Sequence, residues 1–165
     1  MSDENVDLYA HWTPYQAGDE GPRGGVVVYD NGSYSAGWRY IEASHNTGYK
    51  IWGPSGDSTG ATSQAVGMGK TNTELIVDEY GSLYAADWCY NFEEPGEWFL
   101  PSKEELALVY SQKWNIGVDT ECWSSSEYDS DHAWYQDFSD GSQYGDDIND
   151  KNKDTNFEVI PIRYF

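Results

Sequence analysis

The chain has 165 residues, a net charge of -20 and a pI near 4.1, a length that fits one domain with a real core. So strong an excess of acid excludes the phosphate-neutralising chemistry of nucleic-acid binders and weighs against anionic membrane surfaces. The 8 Trp and 14 Tyr argue against disorder despite a mean hydropathy of -0.75, because rings bury large areas where aliphatics are sparse.

The first residues, MSDENVDLYAHW, lack the apolar stretch of a signal peptide, and no apolar run reaches the ~18 residues of a membrane span. The expectation is a chain that stays where it is made or leaves as part of a larger particle such as a virion, with no membrane insertion. Residues 1–23 read as an acidic arm whose Tyr9, Trp12 and Tyr15 dock onto a domain spanning 24–165. GGVVVYDNGSYSAGWRYIEA then reads as a hairpin, with Asn31-Gly32 as its two-residue turn and a second strand over Gly37 to Ala43. GYKIWGPSGDSTGATSQAVGMG reads as loop. KTNTELIVDEYG has helical spacing, with Leu75, Ile76 and Tyr80 near one face and Gly81 as C-cap. SLYAADWCYNF is a second short helix, aligned through Leu83, Ala86 and Tyr90. In SKEELALVY, Ser102 and Glu105 form a capping box ahead of the stripe Leu106, Val109, Tyr110. ECWSSS, AWYQDFS and the closing EVIPIRYF are strand candidates, with Pro161 favouring an edge. Strands at both ends with helices between them predict an α+β fold.

Motifs for chemistry fall short. Gly69-Lys70-Thr71 resembles the end of a phosphate-binding loop, but Gln64 stands where that loop needs Gly, so a helix entry is expected. Asp150, Asn152 and Asp154 alternate like the start of a calcium loop, yet Thr155 and Pro161 occupy the positions of its required Gly and acid. His11, His45 and His132 have no zinc spacing with Cys89 or Cys122. Two cysteines are too few for a disulfide framework; buried free thiols are expected, with one disulfide left open. No catalytic constellation, metal site or cofactor site emerges, and the chain is expected not to be an enzyme.

Several stretches together carry a family resemblance: GGVVVYDNGSYSAGWRYIEA, WFLPSKEELALVY, WSSSEY, AWYQDFSDG and VIPIRYF. They resemble the variable proteins of diversity-generating retroelements, in the branch that looks like Lcl-type (DUF1566) domains. The resemblance covers about Gly24 to Phe165 and implies a C-type lectin fold of the formylglycine-generating-enzyme-like branch, with few helices, small antiparallel sheets and long loops. It implies a ligand-binding surface for receptor or cell-surface recognition, rewritten by mutagenesis of template adenines. The alternatives are a non-variable Lcl-type adhesion domain and, less favoured, an enzyme related to the formylglycine-generating fold. Cys89 and Cys122 do not match the neighbouring cysteine pair of the oxidising enzymes. Glu94-Pro95-Gly96 does not match the calcium-dependent sugar motif, so neither activity is carried over.

The resemblance also implies which residues vary. Template AAY codons, altered at adenine, yield residues such as Asp, Tyr, His, Ser, Gly, Thr and Ile, but not Trp, Gln, Glu, Lys or Met. Within a variable region of about 127–157, the reachable residues expected on the binding face begin with Asp129, Ser130, Asp131, His132, Tyr135 and Asp137. Ser139, Asp140, Ser142, Tyr144 and Gly145 follow, then Asp146, Asp147, Asn149 and Asp150. Glu127, Trp134, Gln136 and Phe138 are the expected scaffold beneath them. If Ala133 to Ser139 is a strand, Trp134, Gln136 and Phe138 point inward and Tyr135, Asp137 and Ser139 outward. The inner Gln136 amide then needs hydrogen-bond partners. The expected partner is a protein or cell-surface ligand, one with a basic patch, met by a Tyr, Ser, Asp and Gly alphabet like that of antibody paratopes.

Overall fold

The computed structural model describes residues 13–146 and 151–165. Tyr9 and Trp12 of the arm, and Asp147, Asn149 and Asp150 of the expected binding set, lie outside them. In chain order the elements are β1 (Val26–Ser35), β2 (Trp38–Ala43), β3 (Gly48–Ile51), α1 (Gly69–Tyr80), α2 (Ala85–Tyr90) and α3 (Lys103–Tyr110), then α4 (Lys113–Ile116), β4 (Glu121–Glu127), β5 (Ala133–Asp137), β6 (Gln143–Tyr144), β7 (Asn156–Val159) and β8 (Ile162–Tyr164). The strands make two sheets, β1-β2-β8 and β3-β7-β4-β5-β6, antiparallel except where β4 meets β7. The architecture is α+β, with few helices and small sheets.

The first hairpin reverses at Ala36-Gly37, not at Asn31-Gly32. Ser35 faces Trp38, and both turn residues have positive φ, 52° and 89°, as a tight two-residue hairpin requires. Asn31-Gly32 lies where the register slips between Asp30 and Ser35. There the Asp30 carboxylate accepts the Gly32 N–H at 2.8 Å while pairing with Arg39, so the Asn-Gly signal produces a bend inside the strand. The described part of the arm covers the β1 edge: the Gly18 N–H donates to Val27 O at 2.8 Å, and the Val27 N–H to Asp19 O at 2.9 Å. Tyr15 docks as expected, edge-on against Tyr40 and Phe165.

β3 forms within a stretch read as loop, because Tyr49 and Lys50 pair with Glu158 and Phe157 of β7. The closing segment is two strands rather than one. Pro161, with no N–H to give, stands between β7 and β8 where the chain leaves one sheet for the other, and its carbonyl accepts the Ser44 N–H at 2.9 Å.

Residues 122–127 of β4 are buried throughout, because the larger sheet has a core on each face. On one side Val28, Ile41, Phe99, Leu106, Val109 and Ile162 pack with Cys122 and Phe138. On the other, Trp52, Ile76, Ala86, Cys89 and Leu100 pack with Trp123, Tyr135 and Phe157. Both cysteines are free and buried, and burial pushes both thiols well above their ordinary pKa.

The Ser102–Glu105 capping box is present. Glu105 does more than cap α3: its carboxylate also accepts the Gly67 and Gly69 N–H groups at 2.8 and 3.1 Å. The amides that open α1 therefore already hold an internal anion, and Gly69-Lys70-Thr71 is a helix entry. A Cβ on Gly69 would strike that carboxylate. On α1 the buried face is Gly69, Asn72, Thr73 and Ile76, whereas Leu75 is exposed. Leu83 likewise stays outside the core, at 77% exposure, ahead of α2.

Candidate ligand-binding surface

The run Trp123 to Glu127 stitches the surrounding loops to β4 with small hydroxyls. Ser124 Oγ donates to Trp134 O at 2.8 Å, tying β5 down, and Ser126 Oγ donates to Ser63 O at 2.7 Å. Glu127, at the end of β4, accepts the Thr59 and Gly60 N–H groups, each at 3.0 Å at its shortest. Its remaining partner is Lys153, whose ammonium lies 2.6 Å away with side chains 0% and 2% exposed. The same ammonium donates to Asp57 O at 2.7 Å and Ser130 O at 2.9 Å, so all three of its N–H bonds are used. The Lys153 N–H also donates to Asp131 O at 2.8 Å. One buried lysine thus joins the loops around residues 57, 130 and 153 through backbone carbonyls. Nothing in the sequence distinguished Lys153 from Lys151, which is half-buried.

Glu127, Gln136 and Phe138 are buried as expected, and the Gln136 amide is satisfied, donating to Gly141 O at 2.9 Å and accepting from Gln143 at 3.3 Å. The outward placement of Tyr135 is overturned. It is 3% exposed, lying among Trp123, Phe157 and Tyr144 at ring separations of 5.8, 4.8 and 5.3 Å. Alternation along β5 does separate the two faces, but both are covered, so being opposite the α3 side does not mean being in water. Trp134 is the less buried of the two. Lys103 Nζ sits 4.1 Å over its ring, and Tyr128 meets it edge-on at 5.4 Å. Gly145 is buried beneath these rings, and a Cβ there would collide with both Tyr128 and Trp134. It is a packing residue, not a contact residue.

The fold resembles that of a protein of known crystal structure. A fimbrial protein from Bacteroides ovatus ATCC 8483 superposes on 77% of this chain with a TM-score of 0.55 at 13% identity. The chain spans about a third of that protein, 36% of its length. No family model and no curated protein matches the sequence.

The remaining expected contact residues do not form one patch. Asp129, Ser130, Asp131 and His132 make the β4–β5 loop, and antiparallel pairing of Tyr135 with Tyr144 carries Asp146 back toward the same end. Ser139, Asp140 and Ser142 make the β5–β6 turn at the other end, next to Asp137, with the length of β5, roughly 14 Å, between the groups. This second turn has its own buried lysine. Lys113 Nζ donates to the carbonyls of Phe138 and Ser139 and pairs with Asp119 at 3.3 Å.

Asp side chains shape both turns locally. Asp129 accepts the Asp131 and His132 N–H groups, each at 2.8 Å, and its other neighbour is the His132 ring at 2.9 Å. Partial burial works against the Asp129 carboxylate, but those bonds outweigh it and hold its pKa below the usual Asp range. Asp140 is lowered chiefly by the Ser142 N–H, at 2.8 Å, and Asp137 accepts the Ser139 N–H at 2.8 Å. Among the described residues, no three His, Cys, Asp or Glu side chains are grouped to hold a metal ion, and no helix is long and apolar enough to cross a membrane.

Proposed function

We propose that this chain is a recognition protein that binds a protein or cell-surface ligand without turnover, through diversified side chains on the loops at both ends of β5. In this reading the scaffold is a C-type lectin fold of the formylglycine-generating-enzyme-like branch, and the chain is the variable protein of a diversity-generating retroelement. The observation that carries it is how the two loops are anchored. Lys153 and Lys113 hold the carbonyls of Ser130, Phe138 and Ser139, so the backbone stays in place whichever side chains those positions carry. Where a side chain does shape the turn, at Asp129, Asp137 and Asp140, the Asn of an unaltered AAY codon makes the same local bond. A frame fixed in this way limits the entropy lost on binding. Tyr135 and Gly145 drop out of the contact set, leaving the exposed and half-exposed Asp129, Ser130, Asp131, His132, Asp137, Ser139, Asp140, Ser142, Tyr144 and Asp146.

Sequencing the encoding DNA tests this. Codons at the exposed positions should derive from AAY by changes at adenine alone, with a near-copy of the region beside a reverse-transcriptase gene. Several codons unreachable in this way would overturn diversification. The likeness to a fimbrial protein favours a second reading, a surface adhesion domain with fixed contacts, which that outcome would leave standing.

A further inference from the structure

Trp114 is the most exposed large aromatic among the described residues, 79% open to solvent on the short helix α4. A lone exposed ring carries no message, but this one is attached to the β5–β6 turn. Lys113 Nζ lies 4.6 Å from the Trp114 ring centroid while bonding the carbonyls of Phe138 and Ser139. The indole therefore stands on the ammonium that fixes the turn, with its outer face free. Beside the same ammonium, Asp119, 3.3 Å from it and with a side chain 65% exposed, presents a carboxylate, and so does the exposed Asp140 on the turn that ammonium holds. Glu121 and Asp137 add two more, placed directly opposite each other across β4 and β5. Like charges so paired weaken a ladder, and a cation laid across them relieves that cost.

We propose that Trp114 and the carboxylates of Asp119 and Asp140 form a docking surface for a cationic protein segment, with an arginine side chain laid along the indole. The chemistry fits in three ways. A guanidinium stacks its flat face and its stem on an aromatic ring while its fork takes a carboxylate. Trp and Arg are the residues most often found carrying binding energy at interfaces. The charge of -20 repels a second copy, nucleic acid and anionic lipid alike. Trp114 and Asp119 lie outside the variable region of about 127–157, so their part of the contact is constant, whereas the Asp140 carboxylate belongs to the turn that the proposed function reads as diversified.

The test is an NMR titration of the full chain, following the Trp114 indole N–H, with a blocked arginine-containing peptide and its citrulline counterpart. The expected result is a saturable shift with the arginine peptide, weakened by added salt, and at least tenfold weaker binding of the citrulline peptide. Trp114→Ala should weaken arginine-peptide binding about tenfold while leaving melting unchanged, since the side chain packs on little. Asp140→Asn keeps the turn-forming acceptor and should weaken binding through charge alone. Equal binding of the citrulline peptide overturns the proposal, as does the absence of any saturable shift. A shift given by a neutral oligosaccharide and not by arginine, or one tracking self-association of the chain, also overturns it.

Discussion

Replacing Lys153 with Met removes one ammonium and leaves three acceptors without it, one of them the buried Glu127 carboxylate. The Glu127 carboxylate, 2% exposed, keeps its two backbone donors but loses the cation beside it, and Asp57 O and Ser130 O lose that donor. Breaking a buried ion pair from one side costs about 3–5 kcal/mol, and the orphaned carbonyls overlap with that figure rather than adding to it. For a domain of this size each kcal/mol lowers Tm by roughly 2–4 °C, so Lys153→Met should melt about 6–20 °C lower. Urea denaturation gives the free energy directly. Adding Glu127→Gln should recover part of the loss, because a neutral amide no longer needs the cation, and the cycle should show clear coupling. Lys151→Met, two residues away and half-buried, should cost under about 1 kcal/mol. A Lys153→Met loss below 1 kcal/mol, or strict additivity with Glu127→Gln, refutes the pin.

Tyr135→Ala should destabilise by about 3–5 kcal/mol in chemical denaturation, as a buried ring does, while Ser139→Ala on the exposed turn stays within about 0.5 kcal/mol. Equal, small losses at both positions would mean that Tyr135 is not part of the core. The Asp129 carboxyl has a folded pKa lowered below its ordinary 3.8, so its support of the β4–β5 loop is fully present above that value and is lost as pH falls through the lowered one. The amide signals of Asp131 and His132 should therefore titrate with a midpoint under 3.8; a midpoint at or above it refutes the bonded geometry.

Local rules made much of the frame legible. The Ser102–Glu105 box, Gly81 closing α1, and the β-branched run Val26 to Val28 each depend on neighbours in sequence, and each stands where periodicity and capping place it. What failed depends on distant partners. The Asn31-Gly32 turn lost to a bend held by Asp30, whose carboxylate also had to reach Arg39. β3 exists only because β7, over 100 residues on, offers an edge. The direction of Tyr135 was read from alternation, which separates inside from outside only when one face of a sheet is bare; here α1 and α2 cover one face and the smaller sheet with α3 covers the other. Lys153 was invisible for the same reason, since its acceptors come from two loops and the end of β4.

The location of the positive charges sharpens the meaning of the acidity. Of the 9 Lys and Arg residues, Arg23, Arg39, Lys103, Lys113, Lys153 and Arg163 each engage a carboxylate, and the last three have side chains no more than 12% exposed. Lys113 and Lys153 point their charge at loop carbonyls beneath the two turns, so the cations that organise the proposed contact surface are hidden from it. A partner approaching these loops meets the carboxylates of Asp131, Asp140 and Asp146 without the lysines that hold them in place. The field outside is therefore more negative than the composition alone implies, and because it is made by exposed groups it is open to screening. If a cationic segment docks as proposed, its association rate should fall as ionic strength rises, while its dissociation rate should follow the close contacts around Trp114.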